Sequence, residues 1–186
     1  MAEFQFEKDP FDNFLVLFRE AQEKNIPEPH AMTLSTVNSF GRPSSRIVLY
    51  KGLVRGGFSF YSNYKGRKAQ DMDHQPSVAL NFFWSALERQ VRIEGVAQKL
   101  TREESEVYFK TRPRISQLGA WASIQSEILK NPEDLKKRVE ETDKKFLGME
   151  VPCPPYWGGY HVIPQVFEFW FSRQGRLHER YVYEKS

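Results

Sequence analysis

The sequence has one cysteine, Cys153, in 186 residues. That excludes an intrachain disulfide framework and any multi-cysteine metal centre. The four histidines, His30, His74, His161 and His178, are nowhere paired at ligand spacing, so no metal site is expected. No apolar run approaches the roughly 18 residues needed to cross a bilayer. The residues up to Asp9 lack the basic-then-apolar order of a secretory signal. A Gly-x-Gly-x-x-Gly loop, a Walker loop and a Gly-x-Ser-x-Gly elbow are missing as well. These absences predict a soluble, cytoplasmic protein with no membrane partner.

What is present is an ordinary globular composition, 40% hydrophobic, 27% charged and 15% aromatic. At roughly 100–200 residues per domain, 1–186 reads as a single domain with a core of its own. The net charge of +3 is too small to argue for nucleic acid. Its distribution is more telling. Pro29 to Gln70 contains no Asp or Glu, yet holds Arg42, Arg46, Lys51, Arg55, Lys65, Arg67 and Lys68. A second acid-free run, Val107 to Ser126, holds Lys110, Arg112 and Arg114. Either these are basic residues on solvated strand faces, or they form one or two anion sites. No continuous basic track or recognition-helix pattern accompanies them, so nucleic acid is not expected as a partner.

Asp9-Pro10 is a helix start, and Phe11, Phe14, Leu15, Phe18 and Ala21 follow with helical spacing. Residues 1–9 are expected as a flexible N-terminus. Short β-rich runs come next: Ala31–Val37, Ser44–Lys51, Phe58–Ser62, Ser77–Trp84 and Gln90–Leu100. A short helix is expected over Lys65–His74. Thr101-Arg-Glu-Glu104 has capping-box form and opens another, interrupted at Pro113. Helices over Ser116–Ala122 and from Asn131 to Phe146 should follow. Gly158–Ile163, Val166–Phe171 and Glu179–Tyr183 read as three closing strands. The strands lie too close together for parallel crossovers, so a mainly β fold is predicted: an antiparallel barrel with helices around it.

Several segments gather groups suited to chemistry. Along Ser45–Lys51, alternation puts Arg46 and Lys51 on opposite faces of an otherwise apolar strand. They are either rim residues or anion holders. Tyr61–Lys68 runs from a strand end into a helix start, collecting hydroxyl, amide and cationic donors as a phosphate monoester requires. Ordinary helix capping would use the same residues. Gln90 offers a bidentate amide to a heterocycle edge. Tyr108 and Arg112 share a helical face and, with Ser116, could form a second phosphate pocket. Arg176, His178 and Arg180 would share one face if their segment were a strand. Two phosphate-grade sites beside a flat aromatic and amide environment suit a flavin nucleotide and a phosphorylated substrate.

The ordered set Arg46-Ile-Val-Leu-Tyr-Lys51, Phe60-Tyr-Ser-Asn63 with Arg67-Lys68, Arg89-Gln-Val-Arg92, Tyr108-Phe-x-x-Arg-Pro-Arg-x-Ser116, Gly119-Ala-Trp-Ala-Ser-x-Gln-Ser126, Tyr156-Trp-Gly-Gly159 and Glu168-Phe-Trp170 with Arg176-Leu-His-x-Arg180 resembles the pyridoxine/pyridoxamine 5′-phosphate oxidase family. The resemblance spans about Pro10 to Tyr183. It implies an FMN-binding split β-barrel and a homodimer with FMN at the subunit interface. It further implies oxidation of pyridoxamine or pyridoxine 5′-phosphate to pyridoxal 5′-phosphate, with O2 as acceptor and H2O2 as product. By motif position, Arg46, Ile47, Val48, Leu49, Tyr50, Lys51, Tyr61, Ser62, Arg67, Lys68, Gln90, Gln125, Ser126, Trp170 and Arg180 resemble FMN contacts. Lys51, Tyr108, Arg112 and Ser116 resemble the grip on the substrate phosphate. Arg176 and His178 resemble the pair set against the reacting part of the ring.

Two departures stand out. The family continues past the His-x-Arg element into a further C-terminal strand that is absent here, and Phe171-Ser172 replaces the usual Gln-Gly. Two other functions stay open on sequence grounds. One is a split-barrel FMN oxidase acting on a different, phenazine-type ring. The other is a non-catalytic binder of FMN or pyridoxal phosphate.

Overall fold

In the computed structural model, residues 4–123, 131 and 133–185 are described. Helix α1 (Pro10–Glu23) starts as the sequence requires: the Asp9 carboxylate accepts from the Phe11 amide at 2.8 Å, with Pro10 in the first turn. Eight strands follow the helical start: β1 (Ala31–Val37), β2 (Pro43–Leu49), β3 (Leu53–Val54), β4 (Gly57–Asn63), β5 (Ser77–Trp84), β6 (Arg89–Lys99), β7 (Trp157–Phe171) and β8 (Glu179–Glu184). They form one sheet in the order β2-β1-β5-β6-β7-β4-β3, with β8 also on β7. Every pairing is antiparallel. The expected mainly β, antiparallel split-barrel architecture is therefore present.

The barrel is filled by aromatic rings. Phe14 of α1 meets Tyr50, Phe58 and Phe82 with centroids 5.4, 4.7 and 5.0 Å away. Burying each such ring contributes about 2–3 kcal/mol. A smaller cluster of Phe109, Leu118, Phe146, Val151, Cys153 and Trp157 lies beside it. It is covered by α3 (Arg102–Thr111), α4 (Arg114–Ala122) and α5 (Glu133–Lys145). The remaining helix, α2 (Arg67–His74), links β4 to β5. Among the described residues no helix is long and apolar enough to cross a membrane.

Three expectations need correction. The two strands expected over 158–171 are a single strand of 15 residues. Pro164 has no N–H to give to a ladder, but β7 changes neighbours there. Residues 157–162 pair with β4 and residues 166–171 with β8, so the missing proline N–H costs no ladder bond on that side. Opposite it, Gly95 lets β6 close on the bulge: a Cβ there would lie 2.2 Å from the Ile163 carbonyl oxygen. The N-terminus is not loose over residues 4–9. Phe4 packs on Phe169, Phe171 and Tyr181 at 5.2, 4.9 and 5.0 Å. Asn13, fully buried, donates to the Gln5 carbonyl and accepts from its amide, and also donates to the Tyr183 hydroxyl. Finally, Arg176 lies outside any strand, in a 3-10 turn over Gln174–Arg176 with φ of 62°.

Candidate active site

A cavity of about 640 Å³ opens between the end of β2, β4 and the corner where α3 meets α4. Lys51, Tyr61, Ser62, Lys68, Tyr108, Arg112 and Ser116 all line it, with Ile47, Val48 and Leu49 on one wall. Sequence separations of up to 69 positions thus close into one space. A second cavity of similar size, between α1 and the β7–β8 edge, contains none of the expected site residues.

One end of the first cavity is built on the start of α2. Helices α1 and α3 both have side-chain caps, Asp9 in one and a Thr101–Glu104 capping box in the other. No side chain caps α2, where Gly66 occupies the cap position. The positive end of the helix dipole at such a start favours an anion. Arg67 and Lys68 open that turn. Lys68 is 9% exposed, and its Nζ donates to Ser62 Oγ at 2.9 Å. Burial lowers its pKa, and Arg46 lowers it further. Arg46 donates from Nη1 to Thr36 Oγ1 at 2.7 Å and from Nη2 to Ser44 Oγ at 2.9 Å. Its pKa is lowered mainly by burial, opposed by Asp71 and assisted by Arg67. Arg46 stands within reach of the charges of Arg67 and Lys68, and three cations at a helix start without a side-chain cap suit a phosphate dianion.

The other end is built on α3 and α4. Arg112 ends α3, its guanidinium 4.6 Å from the Trp157 ring centroid and 5.4 Å from Phe109. Its Nη1 is buried with no hydrogen-bond partner among the described residues. Burial lowers the Arg112 pKa. Ser116 sits in the first turn of α4, which again has no side-chain cap. A buried, unsatisfied guanidinium nitrogen beside an uncapped helix start fits a second phosphate. Tyr108 completes this wall, stacked on Tyr61 at 3.8 Å and nearly parallel to Trp157. Burial pushes the Tyr61 hydroxyl up to about 12, with Tyr108 adding to the effect, so Tyr61 stays a neutral donor.

A third group lies elsewhere. Gln90, Trp170 and Arg180 stand in register across β6, β7 and β8. His178 packs on Trp170 with ring centroids 4.7 Å apart, and its Nδ1 accepts from the Arg173 amide. None of Gln90, Trp170, Arg176, His178 and Arg180 lines the cavity. The expected single cationic face of Arg176, His178 and Arg180 does not form, because only Arg180 is in a strand. The Tyr50 side chain is 6% exposed and points into the aromatic core, so a ligand can meet only its main chain. Gln125 and Ser126 lie outside the described residues. Sequence reasoning assigned no role to Trp157, which backs Arg112, or to Thr36 and Asp71, which hold Arg46 from behind. Asp71 stands one position past the acid-free run, and that was its only signal.

Two family profiles match the chain: pyridoxamine 5′-phosphate oxidase over residues 18–146, and the pyridoxine 5′-phosphate oxidase C-terminal dimerisation region over residues 157–186. The chain belongs to the pyridoxamine 5′-phosphate oxidase family. Curated relatives in this family are similar over nearly their whole length. The pyridoxine/pyridoxamine 5′-phosphate oxidase of Bdellovibrio bacteriovorus is 50% identical over 183 residues, covering 98% of this chain and 93% of the relative. That of Rubrobacter xylanophilus is also 50% identical, covering 100% and 86%. Among solved structures, PhzG from Burkholderia lata 383, in complex with tetrahydrophenazine-1-carboxylic acid, superposes with a TM-score of 0.93 at 26% identity, covering 100% of this chain and 93% of that one. A pyridoxamine 5′-phosphate oxidase-related, FMN-binding protein from Nostoc punctiforme shares the fold, with a TM-score of 0.75 at 13% identity over 98% and 94% of the two chains.

Proposed function

We propose that this chain is a cytoplasmic, FMN-dependent oxidase that converts pyridoxamine 5′-phosphate and pyridoxine 5′-phosphate to pyridoxal 5′-phosphate. The observation that carries the reading is that Lys68 of the α2 cradle, with Arg46 and Arg67 behind the lining, and Arg112 and Ser116 of the α3–α4 cradle stand at one cavity. Family membership and the 50%-identical relatives named for this activity support it. The balance for the amine is substrate, O2 and H2O giving the aldehyde, NH3 and H2O2. For the alcohol no water enters.

When bound, FMN supplies the two-electron acceptor that O2 reoxidises. Arg46, Arg67 and Lys68 are the residues that would hold its phosphate. Arg112, Ser116, Tyr108 and Lys51 grip the substrate phosphate, a remote handle whose binding energy fixes the orientation of the ring. The Tyr61–Tyr108–Trp157 stack walls this grip and keeps water from Arg112. Arg176 and His178 act at the reacting end. Because His178 Nδ1 accepts from the Arg173 amide, its neutral ring carries the proton on Nε2, which can donate to substrate. These two residues reach the cavity from a second copy of the chain. The match to a dimerisation region supports a homodimer, as do the exposed apolar Ile47, Leu49, Phe83 and Val182.

A second reading, oxidation of a phenazine-type ring, is favoured by the PhzG superposition. Such a ring brings a carboxylate to Arg112, whereas the guanidinium beside the α4 start without a side-chain cap suits a phosphate dianion. The test is purified protein loaded with FMN and given each substrate, with aldehyde and H2O2 measured together. Both products in equal amounts are expected. Tight FMN and pyridoxal phosphate binding with no H2O2 would instead make the chain a binder, and turnover on an unphosphorylated ring alone would favour the second reading.

A further inference from the structure

The α2 cradle contains an acid where an anion is to bind. Asp71 is 5% exposed, and its Oδ2 accepts from Thr36 Oγ1 at 2.6 Å. Thr36 is itself fully buried and accepts from Arg46 Nη1 at 2.7 Å. Asp71 Oδ2 lies 3.8 Å from Arg46 Nη2, too long for a hydrogen bond but within ion-pair range. A hydroxyl thus stands between carboxylate and guanidinium. We infer that Asp71 is an internal counter-anion that holds Arg46 in its place in the cradle before phosphate binds, and that Thr36 is the spacer that keeps the carboxylate from capturing Arg46. The inference rests on reading that cradle as the FMN phosphate site.

Two consequences have opposite signs. Three neighbouring cations with no phosphate repel, so Asp71 stabilises the empty protein. Once a phosphate dianion arrives, the same carboxylate opposes it and weakens binding. Asp71 is a positioning residue: it acts through Arg46, by way of Thr36, and fastens α2 to β1. A purely structural fastener would give only loss when altered.

The test is FMN and riboflavin binding to the cofactor-free protein, read by flavin fluorescence, together with its melting temperature. D71N keeps an acceptor for the Thr36 hydroxyl and removes the charge. FMN affinity should rise about tenfold, riboflavin affinity should stay level, and the melting temperature without flavin should fall. T36V removes the spacer, lets the carboxylate pair with Arg46 directly, and should weaken FMN while sparing riboflavin. Equal FMN and riboflavin binding by the parent protein would overturn the cradle, and the inference with it. A parent that prefers FMN, with D71N no tighter than the parent, would overturn the role of Asp71 alone.

Discussion

Arg112→Met separates substrate recognition from stability. Arg112 carries a buried guanidinium nitrogen without a partner, so its charge is held at a cost. Met keeps most of the stem that packs over Trp157 and removes the cation. What is lost in the folded protein is a cation–π contact worth about 0.5–2 kcal/mol. What is relieved is a desolvation penalty of several kcal/mol for an unpaired buried ion. The melting temperature of the protein without substrate should therefore hold or rise by about 2–4 °C per kcal/mol gained. Turnover should move the other way. Two charge-assisted hydrogen bonds to the substrate phosphate, each about 1.5–3 kcal/mol, disappear. At about 4 kcal/mol in total, kcat/KM for pyridoxamine 5′-phosphate drops roughly a thousandfold. Unphosphorylated pyridoxamine never makes those bonds, so its slow turnover should be unchanged within about twofold. Steady-state kinetics on both substrates and thermal melts decide the matter. A melting temperature several degrees lower, or equal losses on both substrates, would refute the assignment of Arg112 to the phosphate.

Three further outcomes are expected. Arg176→Ala should lower turnover by about 10²-fold with FMN affinity intact, because Arg176 is proposed to act on the reacting end of the substrate and not on the FMN phosphate; equal loss of both, by kinetics and flavin titration, would place it with the cofactor instead. Gly95→Ala should cost about 3 kcal/mol or more, since its Cβ would stand 2.2 Å from the Ile163 carbonyl oxygen, and denaturant melts read this directly. Burial pushes the Tyr50 hydroxyl up to about 12 from 10; a folded pKa above the unfolded one means stability that is full below pH 10 and lost as pH rises toward 12. Tyr50→Phe should flatten the stability profile in that window, and an unchanged slope would count against burial as the cause.

Much of this molecule is legible in its residue order. β1 and β5 have the bounds their alternation dictates, and Asp9-Pro10 and Thr101–Glu104 start their helices where local chemistry demands. The rest fails for identifiable reasons. Pro164 punctuates a strand in sequence, yet it falls where β7 exchanges β4 for β8, and pairing partners are not a local property. Asn13 reads as a polar helix residue, but its three hydrogen bonds join the N-terminal segment to β8, some 170 positions away. Arg176 and His178 are two apart, which suggests a shared strand face until Gly175 and Arg176 both take positive φ. The cradle cations were visible as an acid-free run. Their buried carboxylate was not, because only the α2–β1 packing brings Asp71 to Thr36.

The length of β7 sets the arithmetic of assembly. Trp157, behind Arg112, and Trp170, beside His178, are thirteen positions apart on one strand. At about 3.3 Å per residue the strand is a ruler of roughly 40 Å, so on the roles proposed for Arg112 and Arg176 the two ends of one chain lie too far apart to meet one molecule of substrate. Two copies related by a two-fold axis would bring each near end to a far end, and do so twice. On the proposed roles, working centres then arise in pairs. A subunit damaged at Arg112 and one damaged at Arg176 would, when joined, leave one centre whole and concentrate both defects in the other.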